Sequence, residues 1–234
     1  MKTDKHRISL IIPTLNEAGT LGPLLEYLLE KRAPDHLLEI LVVDGGSEDA
    51  TLAIAEAHGA NALLSERGRA VQMNHGASHA RGDILYFLHA DTFPPRGFDQ
   101  HIVQAVDSGF EAGSFRMRFD SNSRFLRFFS WFTRFNYIIC RGGDQSLFVT
   151  RKLFGDCGGF NEAYRIYEDC EFIRRLYRRT AFTVRPETVI TSARRYRQKK
   201  MLRLQFHFAM MHLINYLGAG PEVLYRYYRK NIAL

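Results

Sequence analysis

Up to residue 91 the chain alternates short apolar runs with longer stretches whose apolar residues recur at helical spacing. The runs at 8–12, 40–43, 62–64 and 84–88 are bounded by polar or chain-breaking residues, which predicts strands. Between them, Leu21, Leu24, Leu25, Leu28 and Leu29 have helical spacing, as do Leu52, Ile54, Ala55 and Ala57 ahead of Gly59. A third helix is expected over 68–79. Strands joined by helices imply a parallel sheet with right-handed crossovers.

After Asp91 the pattern changes. Phe115, Met117 and Phe119 alternate with Ser114, Arg116 and Arg118, as in a half-exposed strand. A further strand is expected over 145–150, a helix over 168–179, and a strand pair at 182–184 and 189–191. Phe125, Phe128, Phe129, Phe132 and Phe135 share a broad helical face, with Arg127, Ser130 and Arg134 opposite. That pattern fits an interfacial helix or one facing the core, the latter being the commoner outcome. Near the C-terminus Leu202, Phe206, Met210, Leu213 and Leu217 form one apolar stripe and Met201, Leu204, Phe208 and Met211 another. A helix apolar on two opposed sides is expected to be buried twice, against its own body and against a membrane, a lipid-linked molecule or a second subunit. No internal repeat or linker interrupts the chain, so one domain is expected over 1–198, in two halves (1–91 and 92–198), followed by a helical segment over 199–234.

The 234 residues can bury a substantial core. The net charge of +7, concentrated after residue 115, favours anionic ligands or surfaces. No zinc-finger spacing or RNP-type motif points to nucleic acid. Cys140, Cys157 and Cys170 form neither an even framework nor a CxxC pair, which fits a reduced, cytoplasmic setting. Residues 2–7 are basic and an apolar run follows, but Pro13 cuts that run too short for a signal peptide. No apolar stretch reaches the length of a membrane span.

The chemistry centres on His89-Ala90-Asp91, which closes the 84–88 run. A carboxylate at the C-terminal end of a buried strand faces the crevice where open α/β sheets bind ligands. A second acidic pair, Glu168-Asp169, lies far downstream. One acid suits holding a metal and the other taking a proton, a division of labour fit for moving a group away from a diphosphate. Polar residues follow the first strand at Pro13, Thr14, Asn16 and Glu17 and the second at Asp44, Gly45, Gly46 and Ser47. Asn16 and Asp49 read better as caps, whereas Asp44 is placed to accept hydrogen bonds from a base or ribose. Asp83 reads as a structural cap or pair. His75 and His79 have metal-ligand spacing without an evident third ligand and fit a solvated helix face better.

Taken in order, these stretches resemble the family 2 glycosyltransferases. The resemblance rests on residues 11–17, 43–47 and 49–51, Asn74-His75-Gly76 with 80–83, and His89-Ala90-Asp91. It implies a GT-A-type α/β fold: a nucleotide-binding, Rossmann-like, mostly parallel sheet with helices on both faces, plus a C-terminal helical appendage. It makes 1–91 the nucleotide half and 92–198 the acceptor half. Thr14, Glu17 and Asp44 would line the nucleoside pocket, with Pro13, Gly46, His89 and Ala90 beside the nucleotide sugar. Asp91 would be the metal-binding acid of the family's DxD motif, holding Mn2+ or Mg2+. His89 replaces the first acid of that motif, and Met73 stands where the family often has Arg, so Arg67 and Arg69 are expected to contact the base or diphosphate instead. Asp169 would be the general base, with Glu168 its substitute and helix-start acids complementing the dipole the alternative. Gly143, Asp144 and Gln145 would meet the acceptor, with a hairpin turn the alternative for Asp144 and Gln145. Arg195-Tyr196 loosely matches an Arg beside an aromatic residue that closes over the diphosphate, a role suited to the planar guanidinium.

The resemblance thus implies an inverting transferase that uses a nucleotide sugar, uracil favoured, and a hydroxyl acceptor of unknown identity, lipid-linked molecules included. A homo-oligomer or the inner membrane face would be met through the C-terminal helix. A nucleotidyltransferase would need a glycine-rich loop with Lys near the first strand, which is absent. A catalytically silent nucleotide-sugar binder or membrane-surface module is the alternative, but such a protein would tolerate loss of both acids, and both are present.

Overall fold

The computed structural model describes residues 6–33, 35–198 and 201–232. Residues 2–5 of the basic start and positions 199 and 200 at the expected boundary lie outside the described residues, as does the Met201 side chain. The first ninety residues follow the sequence pattern closely. Strands β1 (Ile8–Thr14), β2 (Leu37–Asp44), β3 (Asn61–Leu64) and β4 (Ile84–Phe87) alternate with helices α1 (Ala18–Lys31), α2 (Thr51–Ala57) and α3 (Arg69–His79). They pair in parallel in the order β3-β2-β1-β4.

The second half adds β5 (Thr92–Phe93), α4 (Phe98–Asp107), β6 (Ala112–Phe119), α5 (Arg124–Trp131), β7 (Leu147–Thr150), α6 (Arg151–Asp156), α7 (Glu168–Tyr177) and β8 (Phe182–Thr191). The sheet continues from β4 as β7-β6-β8-β5. Strand β7 runs antiparallel between β4 and β6, while β6 and β8 are parallel. Helices α8 (Arg194–Gln198), α9 (Met201–Tyr216) and α10 (Pro221–Asn231) complete the chain.

Alternation along β1 decides which helices cover which face. Ile8, Leu10 and Ile12 pack with Leu21, Leu24, Leu25 and Leu28 of α1 and with Phe98 and Ile102 of α4. Ile11 points the other way, into a cluster with Met73 of α3 and Phe172 and Ile173 of α7. Period-two side chains with apolar residues on both sides require cover on both faces, and the helices supply it. Fully burying one such side chain stabilises by about 1.5–3 kcal/mol. Gly76 lets α3 lie flat on this sheet, because a Cβ there would come within 2.6 Å of Ile11 and 2.9 Å of Val43.

Three expectations are corrected. The strand pair at 182–184 and 189–191 is one strand, β8. Phe115 faces Arg185 while Arg116 faces Thr188, so Pro186 and Glu187 are extruded as a bulge that accommodates the missing proline N–H. The strand expected from 145 begins at Leu147, because Gly143–Gln145 forms a 3-10 turn. The aromatic face at 125–135 does not face the core: α5 buries Leu126 and Ser130, while Phe128, Trp131, Phe132 and Phe135 are exposed. In α9, Leu204 and Met211 are buried in a cluster with α10, and Leu202, Phe206 and Leu213 are exposed, as is Leu217 just after it. Among the described residues no helix is long and apolar enough to cross a membrane.

Candidate active site

The C-terminal ends of β1 and β4 open onto a cavity of about 350 Å³. Pro13, Thr14 and Glu17 line it from β1 and the loop that follows, and His89, Ala90 and Asp91 from the loop after β4. Arg67 and Arg69 reach it from the start of α3, Asp144 from the 3-10 turn, and Arg195 from α8. Ten residues singled out in the sequence, scattered over more than 180 positions, thus share one cavity.

The others lie close by but are engaged differently. Asp44 is fully buried behind the cavity. Its carboxylate accepts from Thr14 Oγ1 at 3.2 Å, Gly46 N at 3.0 Å and Ser47 N at 2.7 Å, and also from the Ser47 hydroxyl. It therefore shapes the turn after β2. Gly46 sits in that turn with φ +88°, a conformation that favours glycine. Gln145 is buried and donates to Cys140 O at 2.6 Å, outside the cavity lining. Asn16 joins the loops after β1 and β2 by accepting from Glu48 N at 2.8 Å. Asp49 caps as expected, accepting from Thr51 N at 3.0 Å and Ala18 N at 3.1 Å.

The acidic pair at the start of α7 splits in two directions. Glu168 is fully buried, with Oε1 2.6 Å from Arg69 Nε. Burial pushes its carboxyl above the usual range, and Arg69 only partly offsets the shift. Asp169 Oδ2 stands 3.9 Å from His89 Nε2, and the other ring nitrogen of His89 is 3.6 Å from Asp144 Oδ1. The histidine is thus bracketed by two carboxylates. Burial opposes charging it, but Asp144 and Asp169 outweigh burial and hold the imidazole above its ordinary value. Desolvation opposes charging Asp144, whose side chain is more than half exposed, but the neighbouring His89 outweighs it and holds the carboxyl below its ordinary value. Gly143 lies so close to Asp169 that a Cβ there would overlap Oδ2.

Asp91, half-buried, lines the cavity at the end of the His89-Ala90-Asp91 run. Burial raises its carboxyl, and repulsion from Asp144 and Glu17 adds to the rise against the pull of His89 and Arg194. No cluster of three or more candidate metal-ligating groups occurs among the described residues. The carboxylates of Glu17, Asp91 and Asp144 nevertheless line the cavity together with arginines. Such a donor set fits Mg2+ or Mn2+, which are commonly held by one or two carboxylates and completed by substrate phosphates and water.

Several residues here escaped sequence reasoning. Arg194, next to the expected Arg195, places Nη2 3.0 Å from Glu17 Oε1. Gln72 donates to Thr14 O at 2.7 Å and Val43 O at 2.8 Å, fixing the floor. Its position one helical turn after Arg69 was the available signal. Arg165 and Phe208 also line the cavity, and nothing local in the sequence marks them. The non-glycine residues with positive φ among those described, Asn16 (54°), Ser146 (58°) and Tyr167 (70°), adjoin site loops, where strained backbone tends to collect.

The profile of glycosyl transferase family 2 matches residues 9–182. The chain belongs to that family. Its reaction class is therefore glycosyl transfer, and its sheet is that of the GT-A glycosyltransferases. It is 32% identical over 200 residues to a PGL/p-HBAD biosynthesis glycosyltransferase of Mycobacterium bovis, covering 79% of this chain and 75% of that protein. It is 31% identical over 180 residues to the undecaprenyl-phosphate 4-deoxy-4-formamido-L-arabinose transferase of Sodalis glossinidius, covering 70% of this chain and half (50%) of that protein. Among solved structures, the mannosyltransferase PcManGT from Pyrobaculum calidifontis, in complex with GDP-Man and Mn2+, superposes with a TM-score of 0.71 at 21% identity, over 97% of this chain and 70% of that one. S. aureus TarS 1-349 in complex with UDP gives 0.66 at 19% identity, over 80% of this chain and 60% of that chain, so less than two thirds of it is matched.

Proposed function

We propose that this glycosyltransferase moves a sugar from a nucleotide-diphosphate donor, a UDP-sugar before a GDP-sugar, to a hydroxyl of a lipid-linked acceptor, with inversion. The reading is carried by one observation: Asp91 and three arginines (Arg67, Arg69 and Arg195) line a single cavity, and Asp169 stands directly behind its His89 wall. The arginines suit the diphosphate, since guanidinium binds phosphate oxygens in a planar fork. Thr14 and Glu17, at the end of β1, would meet the nucleoside, with Asp44 holding the neighbouring turn in shape. A divalent cation on Asp91 would neutralise charge on the leaving diphosphate.

Asp169 accepts the proton of the acceptor hydroxyl as its oxygen bonds to the anomeric carbon. The bond from that carbon to the donor phosphate oxygen breaks in the same displacement, and the nucleoside diphosphate departs with the electron pair. A single displacement inverts the anomeric centre. Asp169 is itself buried, with Oδ2 packed against Gly143 in the turn whose next residue, Asp144, would meet the acceptor. The Sodalis relative is named for undecaprenyl phosphate, which supports a lipid acceptor but one that offers a phosphate oxygen; the hydroxyl rests on the acid at Asp169 alone.

Thermal shift with UDP and GDP, with and without Mn2+ or Mg2+, tests the donor side. UDP is expected to stabilise the protein only with a cation present, since a ligand bound only by the folded state raises stability. Asp91→Ala is expected to abolish the shift. A shift indifferent to chelator and to Asp91→Ala removes the metal from this reading. Asp169→Asn should keep the shift and lose turnover by roughly a hundred- to ten-thousand-fold, the usual range of general-base contributions.

A further inference from the structure

The segment from α5 to the acceptor turn turns its aromatic residues outward. Phe128 is 59% exposed and Ile139 74%, and Trp131, Phe132, Tyr137 and Ile138 are exposed beside them. The rings are ordered by one another: Phe128 and Phe132 lie 5.2 Å apart between centroids, Trp131 and Phe132 5.3 Å, and Trp131 and Phe135 4.9 Å. Exposed apolar groups gathered in this way mark an interaction surface. Next to them is an open cavity of about 930 Å³ lined by Arg116, Arg118, Arg124, Arg127 and Arg134, with no acidic residue in its lining. Among the described residues Arg116 Nε is buried without a hydrogen-bond partner.

We infer that this face docks on an anionic lipid bilayer, with headgroup phosphates in the arginine cavity and the aromatic and isoleucine side chains at the acyl boundary. Interfacial segments combine these features: aromatic rings at headgroup depth, apolar side chains below them, and basic residues that attract anionic lipid. A second copy of the chain fits poorly, because a two-fold contact through this face would bring the same unneutralised arginines against each other. Single-stranded nucleic acid fits poorly as well, because base stacking needs open ring faces. Here the Phe128–Phe132 and Trp131–Phe132 pairs are edge-to-face at 85° and 88°, and Arg134 covers the Trp131 ring at 4.7 Å. Ile138 and Ile139 offer no stacking surface.

This surface is continuous with the acceptor side. Arg141, buried where the aromatic segment ends, donates to Ser114 Oγ at 3.0 Å and Phe135 O at 2.7 Å, and its own carbonyl accepts from Cys170 beside Asp169. The docking inference goes beyond the donor and base assignments and stands if they fail.

Flotation of the full chain with phosphatidylcholine vesicles, with and without phosphatidylglycerol, tests it. The chain is expected to float with the anionic vesicles and to be released by salt. Arg124→Gln combined with Arg127→Gln should weaken that binding roughly thirty-fold, taking two basic residues near an anionic surface. Trp131→Ser combined with Phe132→Ser should abolish flotation at any salt concentration. Since these side chains are exposed, unchanged melting temperatures would show that the variants fold. Failure of the wild type to float overturns the inference, as does equal flotation by both variants. Two further outcomes also overturn it: a dimer in sedimentation that the Trp131 and Phe132 substitutions dissolve, or binding of a single-stranded oligonucleotide without flotation. Nucleotide-induced thermal shifts of the same variants should match wild type, so failure here is distinguishable from failure of the donor reading.

Discussion

Gly143 and Asp169 meet without room for one more carbon between them: a side chain begun at Gly143 would overlap Asp169 Oδ2. The turn that carries Asp144 therefore sets the position of the carboxylate assigned as base. Gly143→Ala is expected to displace Asp169 and lower kcat by about two to three orders of magnitude, within the range of general-base effects. Donor affinity should stay near wild type, because the arginines and Asp91 are untouched. Steady-state kinetics with nucleotide titration by calorimetry separates the two quantities.

Glu168 and Asp169 are neighbours with different partners, so their amides should behave differently. Glu168→Gln keeps a hydrogen-bonding group facing Arg69 but removes the buried negative charge that pairs with it. Loss of such a charge-assisted bond costs about 1.5–3 kcal/mol, reduced here because Arg69 is partly exposed. The variant is expected to melt earlier and to bind the nucleotide with altered affinity, whereas Asp169→Asn melts near wild type and loses turnover. If the melting effects are reversed, the roles of the pair are exchanged.

Glu39 offers a pH signature remote from the cavity. Burial would raise its carboxyl, but bonds from Ser9 at 2.6 Å and from Arg81 N at 2.7 Å and Nε at 2.9 Å outweigh burial, so it lies below the ordinary glutamate value. A depressed folded-state value means stability is present above the unfolded value and lost as pH falls through the folded one. Wild type should therefore lose stability below about pH 4.5, the ordinary glutamate value. Glu39→Gln, less stable near neutrality by about 1–3 kcal/mol, should show a flatter dependence there. Denaturant melts at a series of pH values decide it.

Asn74 ties the nucleotide half to the acceptor half. Its amide donates to Phe160 O and its carbonyl accepts from Phe160 N, both at 2.9 Å. Asn74→Ala leaves two backbone groups to find new partners and is expected to destabilise the fold by about 1–3 kcal/mol. Thermal denaturation reads the loss, and a change of less than half that size would mean water replaces the amide.

The legible part of this fold was the part built from local pattern. Runs such as 84–88 are apolar because both faces of β4 are covered, and Leu21 to Leu28 repeat because α1 lies along one face. Strand β8 was harder to see, since Arg185-Pro186-Glu187 breaks its alternation and only pairing with β6 carries the strand through. Strand β5 is two residues long and has no period at all. Within the site, residues at strand ends were readable because topology sends such ends to a common crevice. Pairs such as Glu17 with Arg194, separated by 177 positions, leave no trace in either neighbourhood. The aromatic face of α5 was misjudged for a related reason: a periodic stripe shows that a face is apolar and does not say which way it points.

The C-terminal helices have a consequence for when this protein becomes an enzyme. Helix α9 and Tyr167, the residue just before the acidic pair, are joined through His212 at 2.5 Å, and Tyr164, Ile166 and Tyr167 pack into the α9–α10 cluster. During synthesis the sheet can form before α9 has left the ribosome, but Phe208, which lines the cavity, and the packing around the segment leading into Asp169 both come with that later helix. A nascent chain lacking α9 would have a cavity open along one wall and an acidic pair without its packing, so both are completed together as α9 and α10 settle against the body.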